Sequence, residues 1–198
     1  MIGAVLLAAG SSQRFGSDKL LASLPDGRPI AVAAASTLVA TVAKVIAVVR
    51  PGAEALHDAL RRCGTEVIVC PNASAGMGAS LAWAVAMTSD WDGWIVALAD
   101  MPLVNRETVR AVAKAVAAGA DLAAPGFQGR RGHPVGFGRS YRDALLALHA
   151  DRGARDLVAA AGKRLRLIDC DDPGVLADID APSDLERLAG APGTRDLR

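Results

Sequence analysis

The chain has 198 residues, with 22 Lys and Arg against 21 Asp and Glu, for a formal net charge of +1. That length fits one domain, and the balanced charge argues against a general nucleic-acid-binding surface, which is as a rule strongly basic. Hydrophobic residues make up 52% and aromatics only 4%, so the core must be built from Ala, Val, Leu and Ile.

Short apolar runs alternate with Ala-rich helical stretches along the chain. Residues 4–7 read as a first strand. Residues 29–40 read as a helix, with Pro29 acceptable in its first turn. A strand over 45–49 stops at Pro51 and Gly52. A helix over 54–63 and a strand over 66–69 follow, then a loop over 71–78 and a helix over 79–87. Residues 94–98 form a strand with almost no polar alternation. A helix over 107–118 and a short strand over 121–124 come next. From 126 to 137 the pattern breaks into a turn-rich excursion that ends in a strand at Val135. Helices over 140–148 and 154–161 and a strand over 165–168 precede a last helix over 183–188. Ser183 and Glu186 give that helix a capping-box pattern. Residues 190–198 read as a frayed polar tail. Near-continuous apolar strands separated by helices predict an α/β domain over residues 1–189, with a mostly parallel central sheet covered on both faces.

No apolar run approaches the roughly 20 residues of a membrane-spanning helix. The opening MIGAV lacks the charged start of a signal peptide. A cytoplasmic protein with no membrane and no nucleic-acid partner is expected. Cys63, Cys70 and Cys170 are odd in number and have no CxxC spacing, which argues against a zinc site or a disulfide scaffold.

Five segments carry chemistry. Residues 7–16, LAAGSSQRFG, follow the first strand, and Lys19 lies just beyond. In an open α/β sheet ligands bind at the carboxyl ends of strands. Small residues there let backbone N–H groups approach phosphate oxygens, and Arg14 and Lys19 add positive charge. Gly10 and Gly16 stand too far apart for a dinucleotide fingerprint, and no Gly-Lys-Ser/Thr follows as in a Walker loop. Asp100, followed by Met101 and Pro102, ends a buried strand, where a carboxylate suits a divalent cation. Asp178 and Asp180 flank Ile179, and one of them is expected to reach the Asp100 site. In the small-residue segment 72–81, Asn72, Gly76 and Ser80 precede or begin a helix, another place where donors meet a ligand. Arg130, Arg131, His133 and Pro134 form a Gly-bounded loop suited to an anionic second substrate.

Together these segments resemble the MobA-like nucleotidyltransferases, most of all the molybdenum cofactor cytidylyltransferases. Residues 7–19 are similar to that family's L-A-A-G-x-S-x-R-x-G-x-x-K signature. Residues 100–102 match its D-M-P, 132–134 its G-H-P and 178–185 its D-I-D-x-P-x-D-L.

The resemblance implies a single Rossmann-like three-layer domain that transfers CMP from CTP to the terminal phosphate of molybdopterin and releases pyrophosphate. By similarity Leu7, Ala8, Ala9, Gly10, Ser11, Ser12 and Gly16 bind the nucleotide with Asn72, Gly76 and Ser80. Arg14 and Lys19 act on its phosphates. Asp100 and Asp180 hold Mg²⁺, and Arg131, His133 and Pro134 face the acceptor. Ala9 points to CTP, because guanylyl-transferring relatives tend to carry Gly there. A molybdoenzyme would receive the product. Three other readings stay open: transfer from GTP or to another phosphorylated metabolite, a non-catalytic cofactor carrier, and an NAD(P)-dependent oxidoreductase.

Overall fold

A computed structural model describes residues 1–10, 18–149 and 153–190. Its strands are β1 (Ile2–Leu7), β2 (Val45–Val49), β3 (Glu66–Val69), β4 (Gly93–Leu98), β5 (Leu122–Phe127), β6 (Arg130–Arg131), β7 (Val135–Gly138) and β8 (Leu165–Asp169). The helices are α1 (Ile30–Val39), α2 (Glu54–Arg62), α3 (Met77–Met87), α4 (Arg106–Ala117), α5 (Arg142–Leu146), α6 (Arg155–Ala160) and α7 (Pro182–Gly190).

The described residues form one eight-stranded sheet in the order β3-β2-β1-β4-β7-β5, with β8 parallel to β5 on its far side. Every pairing is parallel except those of the β6 and β7 segments with β4 and β5. This is the mostly parallel three-layer fold expected from the apolar strands.

Strand side chains alternate between two cores. Ala4, Leu6 and Ala8 of the first strand and its extension pack with Ala47, Val49 and Ile95 against α1, α2 and α4. Val5, on the other face, packs with Ile46, Val48, Trp94 and Val96 against α3, α5 and α6. Few aromatics are needed. Trp94 is fully buried, and its indole N–H donates to Thr88 Oγ1 at 2.8 Å. Phe137 meets Tyr141 edge-on at 5.8 Å. Among the described residues the cysteines are free.

The last helix departs from its expected start. It begins at Pro182, a residue suited to the first helical position because its missing N–H needs no partner there. The Asp184 carboxylate accepts from the N–H groups of Asp180 at 2.7 Å and Ala181 at 2.8 Å. Ser183 therefore lies inside the first turn rather than at the cap. The helix also reaches Gly190, the first residue of the expected tail. Residues 191–198 lie outside the described residues. The region 140–148 divides into a 3₁₀ turn, Arg139–Tyr141, and the shorter α5.

Candidate nucleotide site

Parallel register builds the site. Leu7 of β1 pairs with Val48 of β2 and with Leu98 of β4, and Val49 pairs with Val69 of β3. Two positions beyond those partners stand Ala9, Arg50, Asp100 and Pro71, all at one carboxyl edge of the sheet. This is the edge where open α/β sheets bind ligands. A cavity of about 550 Å³ opens there. Its lining includes Leu7, Ala9, Gly10, Lys19, Gly76, Ser80 and Asp100 from the predicted set.

The N-terminus of α3 faces this cavity through Gly76, Met77 and Ser80. Gly76 has φ of 117°, a conformation that glycine adopts freely and other residues rarely do. The unpaired N–H groups at a helix start favour an anion nearby. Ser80 is buried within the first turns and contributes to the wall.

The charged centre borders the cavity, which Lys19 and Asp100 line. Lys19 Nζ donates to Asp100 Oδ2 at 2.9 Å and to Asp180 Oδ1 at 3.0 Å. Burial disfavours the lysine charge, but the two carboxylates more than offset this and hold its pKa above the ordinary lysine value. Asp180 is brought here by a short tether: the Ile179 N–H donates to the Asp100 carbonyl at 2.9 Å. Ile179 itself is buried. Asp178 points the other way, into a separate groove with Leu103 and Arg187. Residues two apart share one face of a regular strand, but 177–180 has no regular secondary structure, and of the two acids Asp180 is the one that meets Lys19.

Asp100 and Asp180 present hard oxygen donors to one point, and no third His, Cys, Asp or Glu joins them among the described residues. Two carboxylates completed by substrate phosphate and water are the usual surroundings of protein-bound Mg²⁺. The donor set fits that ion.

Other predicted residues fall elsewhere. Ser11, Ser12, Arg14 and Gly16 lie outside the described residues. Ala8 is buried in the core and Asn72 is not in the cavity lining; the Asn72 Oδ1 accepts from the Cys70 thiol at 3.2 Å. Arg131 is exposed on β6. His133 and Pro134 line a small pocket with Thr37, Leu38 and Met101 instead of the main cavity. The His133 Nδ1 is buried without a hydrogen-bond partner. Burial, helped by the nearby Arg131 charge and opposed by Asp100, pushes the His133 pKa down to about 4. The ring is neutral at pH 7.

Arg50 is a charged residue of the cavity lining that the sequence motifs do not include. Arg50 donates from Nη1 to the Gly10 carbonyl at 2.9 Å and from Nη2 to Asp18 Oδ2 at 3.2 Å. Its position directly after β2, in register with Gly10's strand, was the available signal.

The fold and the cation–carboxylate centre define an α/β protein of the nucleotidyltransferase class. The chain belongs to the MobA-like NTP transferase domain family, which it matches over residues 4–166. It is 30% identical over 193 residues to nicotine blue oxidoreductase of Paenarthrobacter nicotinovorans, covering 93% of this chain and 94% of that one. It is 35% identical over 159 residues to the bifunctional protein GlmU of Agrobacterium fabrum, covering 77% of this chain. The match spans only 35% of GlmU's own length. Among solved structures, Rv0371c of Mycobacterium tuberculosis superposes with a TM-score of 0.83 at 28% identity, covering 97% of this chain and 99% of that one. Its complex with manganese superposes with a TM-score of 0.77 at 27% identity, covering 96% and 99%.

Proposed function

We propose that the protein transfers CMP from CTP to the terminal phosphate of molybdopterin or the molybdenum cofactor, releasing pyrophosphate. The observation that carries this reading is the convergence of Asp100 and Asp180 on Lys19, with Lys19 and Asp100 lining a cavity of about 550 Å³, large enough for a nucleotide. The chain acts in this reading as one nucleotide-binding domain.

The chemistry needs no general base. A phosphate monoester has a second pKa near ~6, so the acceptor is already largely ionised at neutral pH. What remains is to align it with the α-phosphorus and to relieve repulsion between anions. Gly10, Gly76 and the start of α3 receive the nucleotide, with Ser80 in the wall beside it. Leu7 and Ala9 shape the cavity at the end of β1, and Ala9 favours CTP. Lys19 and Arg14 neutralise the developing charge on the phosphates. Asp100 and Asp180 would hold Mg²⁺, which when bound draws together phosphate oxygens and screens their charge. Rv0371c, a relative solved with manganese, supports the use of a divalent metal. Arg131, exposed on β6, is the proposed acceptor contact, and His133 and Pro134, in the small pocket beside Met101, are proposed to hold that side in place. The product passes to a molybdoenzyme in the cytoplasm, where nucleoside triphosphates are available.

Thermal shift with each nucleoside triphosphate plus Mg²⁺ tests the substrate, since a ligand that binds the native state raises its apparent stability. CTP is expected to give the largest rise. A rise with GTP and none with CTP would overturn the cytidylyl assignment in favour of guanylyl transfer.

A second reading, an oxidoreductase, is favoured by the 30% identity to nicotine blue oxidoreductase. Fluorescence titration with NADH and NADPH decides it. Saturable binding followed by hydride transfer supports that reading, and absence of binding removes it.

A further inference from the structure

We propose that Arg50 is a positioning residue for Lys19, acting through Asp18. The kinetic consequence rests on the nucleotidyltransfer reading; the positional one does not.

Arg50 leaves the end of β2 and bridges two points on either side of the 11–17 segment. One is the Gly10 carbonyl just beyond β1, 2.9 Å from Nη1. The other is Asp18 Oδ2, 3.2 Å from Nη2. Asp18 uses its second oxygen differently. Its Oδ1 accepts from the Leu20 N–H at 3.3 Å and so caps the 3₁₀ turn Lys19–Leu21. The Leu21 N–H returns to the Asp18 carbonyl at 2.9 Å. Leu20 is buried in the α1 core, which anchors the turn from below. Lys19 then leaves this turn towards Asp100 and Asp180.

The contacts therefore form one line from Gly10 through Arg50 and Asp18 to the Lys19 ammonium. The side chains of Arg50 and Asp18 are 30% and 22% exposed, and a partly solvated ion pair adds little stability by itself. The geometry is the stronger argument. A guanidinium offers several donors in one rigid plane, so it sets the distance between two acceptors as a flexible lysine would not. Misplacing a reacting-site group by about 1 Å can cost on the order of 100-fold in rate. Arg50 controls where the turn stands against β1, and with it where Lys19 meets the two carboxylates.

The test uses acylation of lysines by an amine-reactive ester, read by mass spectrometry on the protein without nucleotide, beside steady-state pyrophosphate release. In the wild type Lys19 is 9% exposed and doubly paired, so it should label slowly, and the exposed Lys44 quickly. Arg50→Ala is expected to raise Lys19 labelling about tenfold, the scale of one lost charge-assisted hydrogen bond, with Lys44 unchanged. Arg50→Lys should restore part of the protection. Asp18→Asn keeps an oxygen for the Leu20 N–H, removes the anion facing Arg50, and should behave like Arg50→Ala even if the latter folds poorly. With turnover, kcat should fall more than KM rises. Lys19 labelling at the wild-type level in both variants would overturn the proposal, as would a rise in KM alone, which marks direct nucleotide contact by Arg50. A wild type that labels as expected but releases no pyrophosphate from any nucleotide would reject the transferase reading and leave the positioning role standing.

Discussion

The Lys19 ammonium donates to Asp180 Oδ1 at 3.0 Å across 161 positions of sequence. The same nitrogen holds Asp100 at 2.9 Å. One cation thus organises two carboxylates from the ends of two distant segments. Replacing it with the near-isosteric, uncharged Met has two expected effects. Pyrophosphate release should fall by about 10²–10³-fold, the usual effect of removing one charge-stabilising group. Mn²⁺ binding without nucleotide, followed by electron paramagnetic resonance, should tighten, because a positive charge beside both acids is gone. Weaker Mn²⁺ binding in Lys19→Met would contradict this view of the centre.

Asp172 should prove important for both stability and the site. It is buried, and its carboxylate accepts from the Asn105 N–H at 2.8 Å, the Thr108 hydroxyl at 2.6 Å and the Gly174 N–H at 3.0 Å. It ties the segment leading to Asp180 onto the start of α4, where negative charge is favoured. Asp172→Ala strands the buried Thr108 and Gly174 donors and should cost about 3 kcal/mol in urea unfolding. Its kcat/KM should fall too, even at temperatures where the variant stays folded. An unchanged unfolding midpoint would refute the tether.

His133 predicts an acid-side loss of stability. Its folded pKa is pushed down to about 4 from an ordinary value of 6.5. Between those values the unfolded chain binds the proton and the native state resists it, so stability falls as pH drops from 6.5 towards 4. The full contribution, on the order of 3 kcal/mol, is present above pH 6.5. His133→Gln should flatten this part of the curve of unfolding free energy against pH. Parallel curves for the two proteins would show that the ring titrates normally.

Much of this was legible in the sequence because the fold has strong local signals. The runs at 45–49 and 66–69 are bounded by turn residues and match β2 and β3 in full. The choice of Asp180 over Asp178 was not legible from strand geometry, because alternation puts residues two apart on one face and it is the irregular backbone of 177–180 that separates them. The capping residue of α7 was misread because Asp184 competes with Ser183, and Pro182 already suits the first helical position. Arg50 was missed for a different reason. Its one sequence signal is its place directly after β2, and it takes the parallel register of β2 against β1 to make it a neighbour of Gly10. The acceptor role proposed for His133 rests on its motif, and no local signal shows that its ring lies in a small pocket beside Met101.

The most direct measurement is pyrophosphate release across the four nucleoside triphosphates, with and without molybdopterin, for the wild type and Asp100→Asn. Release from CTP that requires both acceptor and Mg²⁺, and that falls by at least about 10²-fold in the variant, is the predicted result. Acceptor-dependent release at near-wild-type rates by Asp100→Asn, or no release from any nucleotide, would contradict the account.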